Sequence, residues 1–158
     1  MMYLLDTNVI SELRKTGIFH GKSSKADRHV TAWANGIPLE SMFLSVISVL
    51  ELEQGILQME RHDARQGAML RNWLDHHVLP AFSNRILPVD SAVALRCAIL
   101  HVPNPRDYRD SLIAATALVH GMTVVTRNVK DFKDTGVALL NPWQLMLSLS
   151  ARADTLHK

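Results

Sequence analysis

Short apolar runs alternate along the chain with longer stretches in which apolar residues return every three or four positions. The run at 2–5 predicts a first strand and 7–15 a first helix. The polar, Gly-containing stretch 17–25 predicts a loop. Asp27 stands where a cap is needed for a helix carrying Val30 and Trp33, which Asn35-Gly36 closes. Residues 42–45 predict a second strand. Helices follow over 48–60 and 64–79, the second presenting Met69, Trp73 and Leu74 at helical spacing. A third strand is expected at 85–89, and Asp90 caps a helix reaching residue 101. Pro103-Asn104-Pro105 breaks the chain before a helix over 107–120 that stops at Gly121. Strands at 122–126 and 137–140 complete the pattern, and Pro142-Trp143 starts a short terminal helix. This alternation predicts an α/β fold of three layers, with a central, mostly parallel sheet of five strands flanked by helices.

Composition narrows the picture only slightly. A chain of 158 residues, 47% apolar and 20% charged, fits one soluble globular domain with a full core. A formal charge of +2 permits a polyanionic partner without requiring one. The single cysteine, Cys97, sits among Leu95, Ala98, Ile99 and Leu100, so a buried, inert thiol is expected and an internal disulfide is excluded. That suits a cytoplasmic protein. The apolar start ends at Asp6, too short for an export signal, and the apolar residues at 145–149 are too few to span a bilayer. No membrane association is expected.

The candidate chemistry is acidic. Asp6 follows the first strand, Glu51 the second, Asp110 opens the helix before the fourth, and Asp131 follows the fourth. A parallel sheet gathers such positions at the carboxyl ends of its strands. Two like charges 4 Å apart repel by about 4 kcal/mol at an effective dielectric of 20, so a divalent cation is the natural companion of four acids. Each residue also has a plainer reading. Asp6 can cap the first helix, with Asn8 and Ser11 in the same turn capping it or orienting a carboxylate. Ser48-Val49-Leu50-Glu51 has capping-box spacing, which would place Glu51 on the first helical turn. Asp107 and Asp110 fit the cap and third position of one helix, where its dipole favours acids. Asn128 and Asp131 can be ordinary loop residues. Glu53 and Glu60 fall off the Leu52–Ile56 face and are expected in solvent. The eight histidines form no zinc-type spacing, and no phosphate-binding glycine loop or nucleophile elbow is present. An all-oxygen carboxylate site points to Mg²⁺, with Mn²⁺ as the alternative.

Leu4-Leu5-Asp6-Thr7-Asn8-Val9-Ile10-Ser11 resembles the opening strand and turn of PIN-domain proteins. The segments 45–52, 110–117 and 123–132, and then Asn141-Pro142-Trp143, resemble their later motifs in order and spacing. The likeness makes 1–143 a PIN domain with 144–158 as its C-terminal helix or tail, and is nearest to VapC-type toxins of the FitB-like group. It implies a Mg²⁺-dependent endoribonuclease, the toxin of a type II toxin–antitoxin system, that leaves 5′-phosphate and 3′-hydroxyl ends. Asp6 and Asp110 would be the metal ligands, Glu51 would orient the attacking water, and Asp131 would complete the catalytic quartet. Asn8, Ser11, Thr126 and Asn128 would lie behind them, Asn128 standing where some relatives carry Asp. Arg14, Lys15, Arg106, Arg109, Arg127 and Lys130 flank the acidic motifs and are candidates to hold RNA phosphates, chief among them Arg14, Arg109, Arg127 and Lys130. The implied partners are RNA, a cognate antitoxin, and a second copy in a homodimer or a larger heteromeric complex. The hairpin at 48–79, with Leu52, Ile56, Met59, Met69 and Trp73, is either the antitoxin's contact surface or ordinary core. Two rivals remain: a catalytically weak PIN module that acts by binding antitoxin or RNA, and a haloacid-dehalogenase-type phosphatase. The phosphatase wants a second Asp where Asn8 stands.

Overall fold

The computed structural model describes residues 1–16 and 25–144. Most of the loop expected at 17–25, and any helix continuing past residue 144, lie outside the described residues. Strand β1 (Tyr3–Leu5) runs into α1 (Thr7–Leu13), and α2 (Arg28–Asn35) leads to β2 (Met42–Ser45). Helix α3 (Val46–His62) and α4 (Ala64–Trp73) form a hairpin, continued by a π-helical turn (Leu74–Val78) and the short α5 (Leu79–Ala81). Then come β3 (Ile86–Leu87), α6 (Ser91–Leu100), α7 (Tyr108–His120), β4 (Thr123–Val125) and β5 (Leu139–Leu140). The five strands are ordered β3-β2-β1-β4-β5, and every pairing is parallel. Among the described residues no helix is long and apolar enough to cross a membrane.

Strand alternation builds three layers. Successive side chains of a strand point to opposite faces, so Leu5 and Val125 pack with α1 to α5, while Leu4 and Val124 pack with α7. The first face holds Ile10, Leu13, Trp33, Leu44, Ile56 and Phe82, with Tyr3 meeting Trp33 edge to face at 5.5 Å. The second holds Ile113, Ala114, Met122 and Phe132. Behind it α6 packs on α7 through Val93, Cys97 and Ala115, so Cys97 is buried as expected.

The caps at Asp27, Asp90 and Asp107 form as their spacing suggests, and Gly121 ends α7 with φ 67°. Three expectations fail. The stretch 64–79 is not one regular helix, because Pro80 lacks an N–H and its ring would press on the carbonyl one turn back. The helix widens into the π turn at Leu74–Val78, where the N–H of Leu79 reaches the carbonyl of Leu74. Met69 is 61% exposed, so the buried side of that helix is Trp73, Leu74, Val78 and Phe82 instead. Glu53 and Glu60 are not idle in solvent: Arg71 hydrogen-bonds both and pins α4 to α3, with Asp75 3.7 Å away.

Candidate active site

Because the strands are parallel, the turns after β1, β2 and β4 all leave the same edge of the sheet. Helix α7 runs back to the start of β4 through Gly121, so its N-terminus lies at that edge too. Each of these segments delivers one acid.

Asp6 is the most constrained of them, with 7% of its surface exposed. It does cap α1: Oδ1 accepts from the Thr7 N–H at 2.9 Å. Oδ2 accepts from the Thr126 hydroxyl at 2.8 Å and from the Asn8 amide at 3.3 Å. The Asn8 carbonyl oxygen accepts from the Arg127 N–H at 3.2 Å, and Thr126 Oγ1 accepts from the Asn128 N–H at 3.0 Å. Capping and site assembly are thus one network, joining the β1 turn to the β4 turn. Asn128 enters it through its backbone. Ser11 makes no hydrogen bond to Asp6 among the described residues; it borders a groove with Thr7, Arg14, Glu51 and Trp73, a cavity of about 290 Å³.

Glu51 reaches the site from a different place than its spacing suggested. Helix α3 begins at Val46 and is capped by Ser45, whose Oγ accepts from the Ile47 N–H at 3.0 Å. Ser48 is therefore inside the helix, fully buried, and its hydroxyl has no partner among the described residues. No capping box forms, and Glu51 sits on the second turn. Its Oε1 accepts from the Thr7 hydroxyl at 3.0 Å, and Arg109 lies 3.8 Å from Oε2.

Asp110 occupies the third position of α7, under the Asp107 cap, whose Oδ1 accepts from the N–H groups of Arg109 and Asp110 at 2.8 and 3.3 Å. Burial, followed by the charges of Asp107, Asp6, Asp131 and Glu51, pushes its carboxyl up to about 6. Burial also raises Asp6, against the hydrogen bonds from Thr126 and Thr7 and with Asp131 adding to the rise. Glu51 is raised by burial and by Asp6, opposed by the Thr7 hydroxyl and Arg109. Thr7 joins two of these acids directly, its N–H bound to Asp6 and its hydroxyl to Glu51, and Asp110 stands within reach of the charges of Asp6, Asp131 and Glu51. Asp131 stands on the turn Val129–Phe132, exposed, and acts on Asp6 and Asp110 through its charge.

The donor set is all oxygen. Among the described residues no three carboxylate, histidine or cysteine side chains close tightly enough to enclose an ion alone. Mg²⁺ does not ask for that: it keeps several waters and takes one or two carboxylates with phosphate oxygens. The acid pile-up at Asp110 and the fixed carboxylate of Asp6 fit such an ion.

The flanking cations differ in freedom. Lys15 is paired with Glu12 at 3.2 Å, and Arg109 bridges Glu51 and Asp107. Arg127 lies over the Trp143 ring at 5.2 Å, and Lys130 is exposed. Thr7, the hydroxyl that holds Glu51, does not stand out in the sequence. Its only local signal was a hydroxyl residue following an acid at a strand end.

The PIN domain profile matches residues 3–138. The chain is 36% identical over 148 residues to the protein named VapC ribonuclease Y4jK from Sinorhizobium fredii, covering 90% of this chain and 99% of that one. It is 36% identical over 152 residues to Toxin FitB of Neisseria gonorrhoeae, with the same coverage. The crystal structure of FitAcB from Neisseria gonorrhoeae superposes with a TM-score of 0.78 at 35% identity, covering 90% of this chain and 99% of that chain. With its parallel sheet, its acids at one edge and a profile match from β1 to the approach to β5, this chain belongs to the PIN-domain family.

Proposed function

We propose that this chain is a Mg²⁺-dependent endoribonuclease and the toxin of a toxin–antitoxin pair, cleaving RNA phosphodiesters at the basin around Asp6 and Asp110. The observation that carries the proposal is the hydrogen-bonded network at one sheet edge, in which Thr126, Asn8 and the Thr7 N–H fix Asp6 while the Thr7 hydroxyl holds Glu51, in a chain whose PIN relatives bear the names ribonuclease and toxin. Asp6 and Asp110 would hold the ion, which when bound neutralises a phosphodiester and acidifies a water. The remaining work falls to the protein. Thr126, Asn8 and the Thr7 amide fix both oxygens of Asp6, so its lone pairs are oriented before substrate arrives. Glu51, raised by burial and steadied by Thr7, takes the proton of the attacking water. Asp131 adds charge from the open side, and Arg14, Arg109, Arg127 and Lys130 hold the flanking phosphates.

The same reading makes residues 1–143 the catalytic domain and places the protein in the cytoplasm as a homodimer, restrained by an antitoxin. A cleavage assay on RNA with and without Mg²⁺ tests it, comparing the unaltered chain with Asp6→Asn and Asp110→Asn. Cleavage that depends on Mg²⁺ and is lost in both variants is expected. Equal cleavage by all three proteins would overturn the proposal.

A further inference from the structure

A second polar cavity, of about 450 Å³, lies where the end of α6, the 101–107 loop and the 133–136 turn meet. Arg96, Asn104, Arg106 and Asp134 line it, with Ile99 and Val102 on its apolar side. Arg106 donates through Nη2 to the Lys133 carbonyl oxygen at 2.5 Å, which fixes its guanidinium plane. Its Nη1 is buried and has no hydrogen-bond partner among the described residues. Arg96 makes no ion pair or hydrogen bond among the described residues, and Asp134 pairs with neither arginine there. The Arg106 Nη1 is closed off from the cavity, so the guanidinium open to an incoming oxyanion is that of the exposed Arg96. Two guanidiniums against one carboxylate leave the cavity cationic.

The cavity adjoins the site along the chain. Arg106 precedes Asp110 by four residues, so their Cα atoms lie within about 14 Å, and Asp134 follows Asp131 by three, within about 11 Å. Both segments that carry acids into the basin continue directly into the cavity. We infer that this cavity binds a backbone phosphate of the RNA strand running out of the acidic basin, an inference that rests on the nuclease reading above. The apolar wall at Ile99 and Val102 offers a surface for the adjoining sugar or base. Arg106 and Arg96 then set how the strand leaves the site, not how it is cut.

The test uses the full chain with Asp6→Asn to prevent cleavage, and follows its binding to a short single-stranded RNA over a range of salt. Adding Arg96→Gln is expected to weaken binding about tenfold. It should also flatten the slope of log affinity against log salt by about 0.7, the share of one phosphate contact on a single strand. Arg106→Gln should do the same, and Arg106→Lys should recover the slope. Arg96 is exposed and makes no hydrogen bond or ion pair among the described residues, so its variant remains informative if Arg106→Gln misfolds. Unchanged affinity and slope in Arg96→Gln would overturn the inference. So would inorganic phosphate shifting the arginine side-chain resonances equally with and without saturating RNA, since the cavity would then be a free-anion site off the strand's path. Cleavage by the unaltered chain and by Asp110→Asn is measured in parallel. Equal cleavage by those two sinks the nuclease reading, whereas normal cleavage with an unaltered Arg96→Gln slope sinks only the cavity.

Discussion

Thr126 shows how much of the site hangs on one hydroxyl. It is fully buried, donates its proton to Asp6 Oδ2 at 2.8 Å and accepts from the Asn128 N–H at 3.0 Å. Thr126→Val keeps the shape and removes both bonds, together with the one the Asn8 amide donates to the same hydroxyl at 3.4 Å. The Asn128 N–H then loses its partner and Asp6 Oδ2 keeps only the Asn8 amide, so stability should fall by about 1–3 kcal/mol in a denaturant titration. Asp6 would also turn more freely. RNA cleavage should fall about tenfold to a hundredfold, a range set by the one or two hydrogen bonds that orient the carboxylate. Thr126→Ser, which retains the hydroxyl, should recover most of the cleavage. If Thr126→Val loses stability but cleaves normally, Thr126 serves the fold alone and does not position Asp6.

At the scale of elements, the α3–α4 hairpin separates two glycines that the sequence presents alike. A Cβ at Gly67 would lie 2.6 Å from the Glu60 Cα, a backbone atom that cannot swing aside, whereas one at Gly55 meets nothing within 4 Å. Gly67→Ala should force the helices apart and destabilise by about 1–3 kcal/mol. Gly55→Ala should stabilise by about 0.5–1 kcal/mol, because Ala is the better helix former. Thermal melts of the two variants check both signs. The hairpin also shows what the sequence could disclose. Strand positions, the Asp27, Asp90 and Asp107 caps and the Gly121 stop were legible because each is a local device read within a few residues. The true start of α3 was not, since Ser45 and Ser48 are both plausible caps and only the pairing of β2 with β1 decides how far the strand runs. The π turn required knowing that Trp73, Leu74, Val78 and Phe82 all face one core. Parallel topology made the sheet edge that carries Asp6 legible, but the contact that steadies Glu51, from Thr7, and that of Arg71 with Glu53 on the hairpin join segments that no spacing encodes.

For the molecule as a whole, the acidic basin works against the fold when empty of cations. Asp110 titrates at about 6 in the folded chain, above the ordinary carboxylate value of 3.8. Between those values the folded state holds a proton that the unfolded state has released, so unfolding free energy decreases as pH rises. The stabilisation is fully present below the unfolded value and lost as pH climbs through about 6; the raised Asp6 and Glu51 act in the same direction. With divalent ions chelated, the chain should therefore melt at a higher temperature near pH 5 than near pH 7.5. Asp110→Asn should raise the melting temperature near pH 7.5 and flatten the slope, because the amide keeps the shape and drops the charge. Mg²⁺ should act on the same charges from the other side: it binds the ionised site, so its stabilising effect should grow as pH rises through the Asp110 titration. A hundredfold excess over the dissociation constant adds about 2.7 kcal/mol to a fold that alone binds the ion. Calorimetric melts of both proteins, with chelator and with Mg²⁺, separate these terms. An undiminished pH slope in Asp110→Asn, or a Mg²⁺ effect of equal size in both proteins, would place the strained charge and the ion somewhere other than this basin.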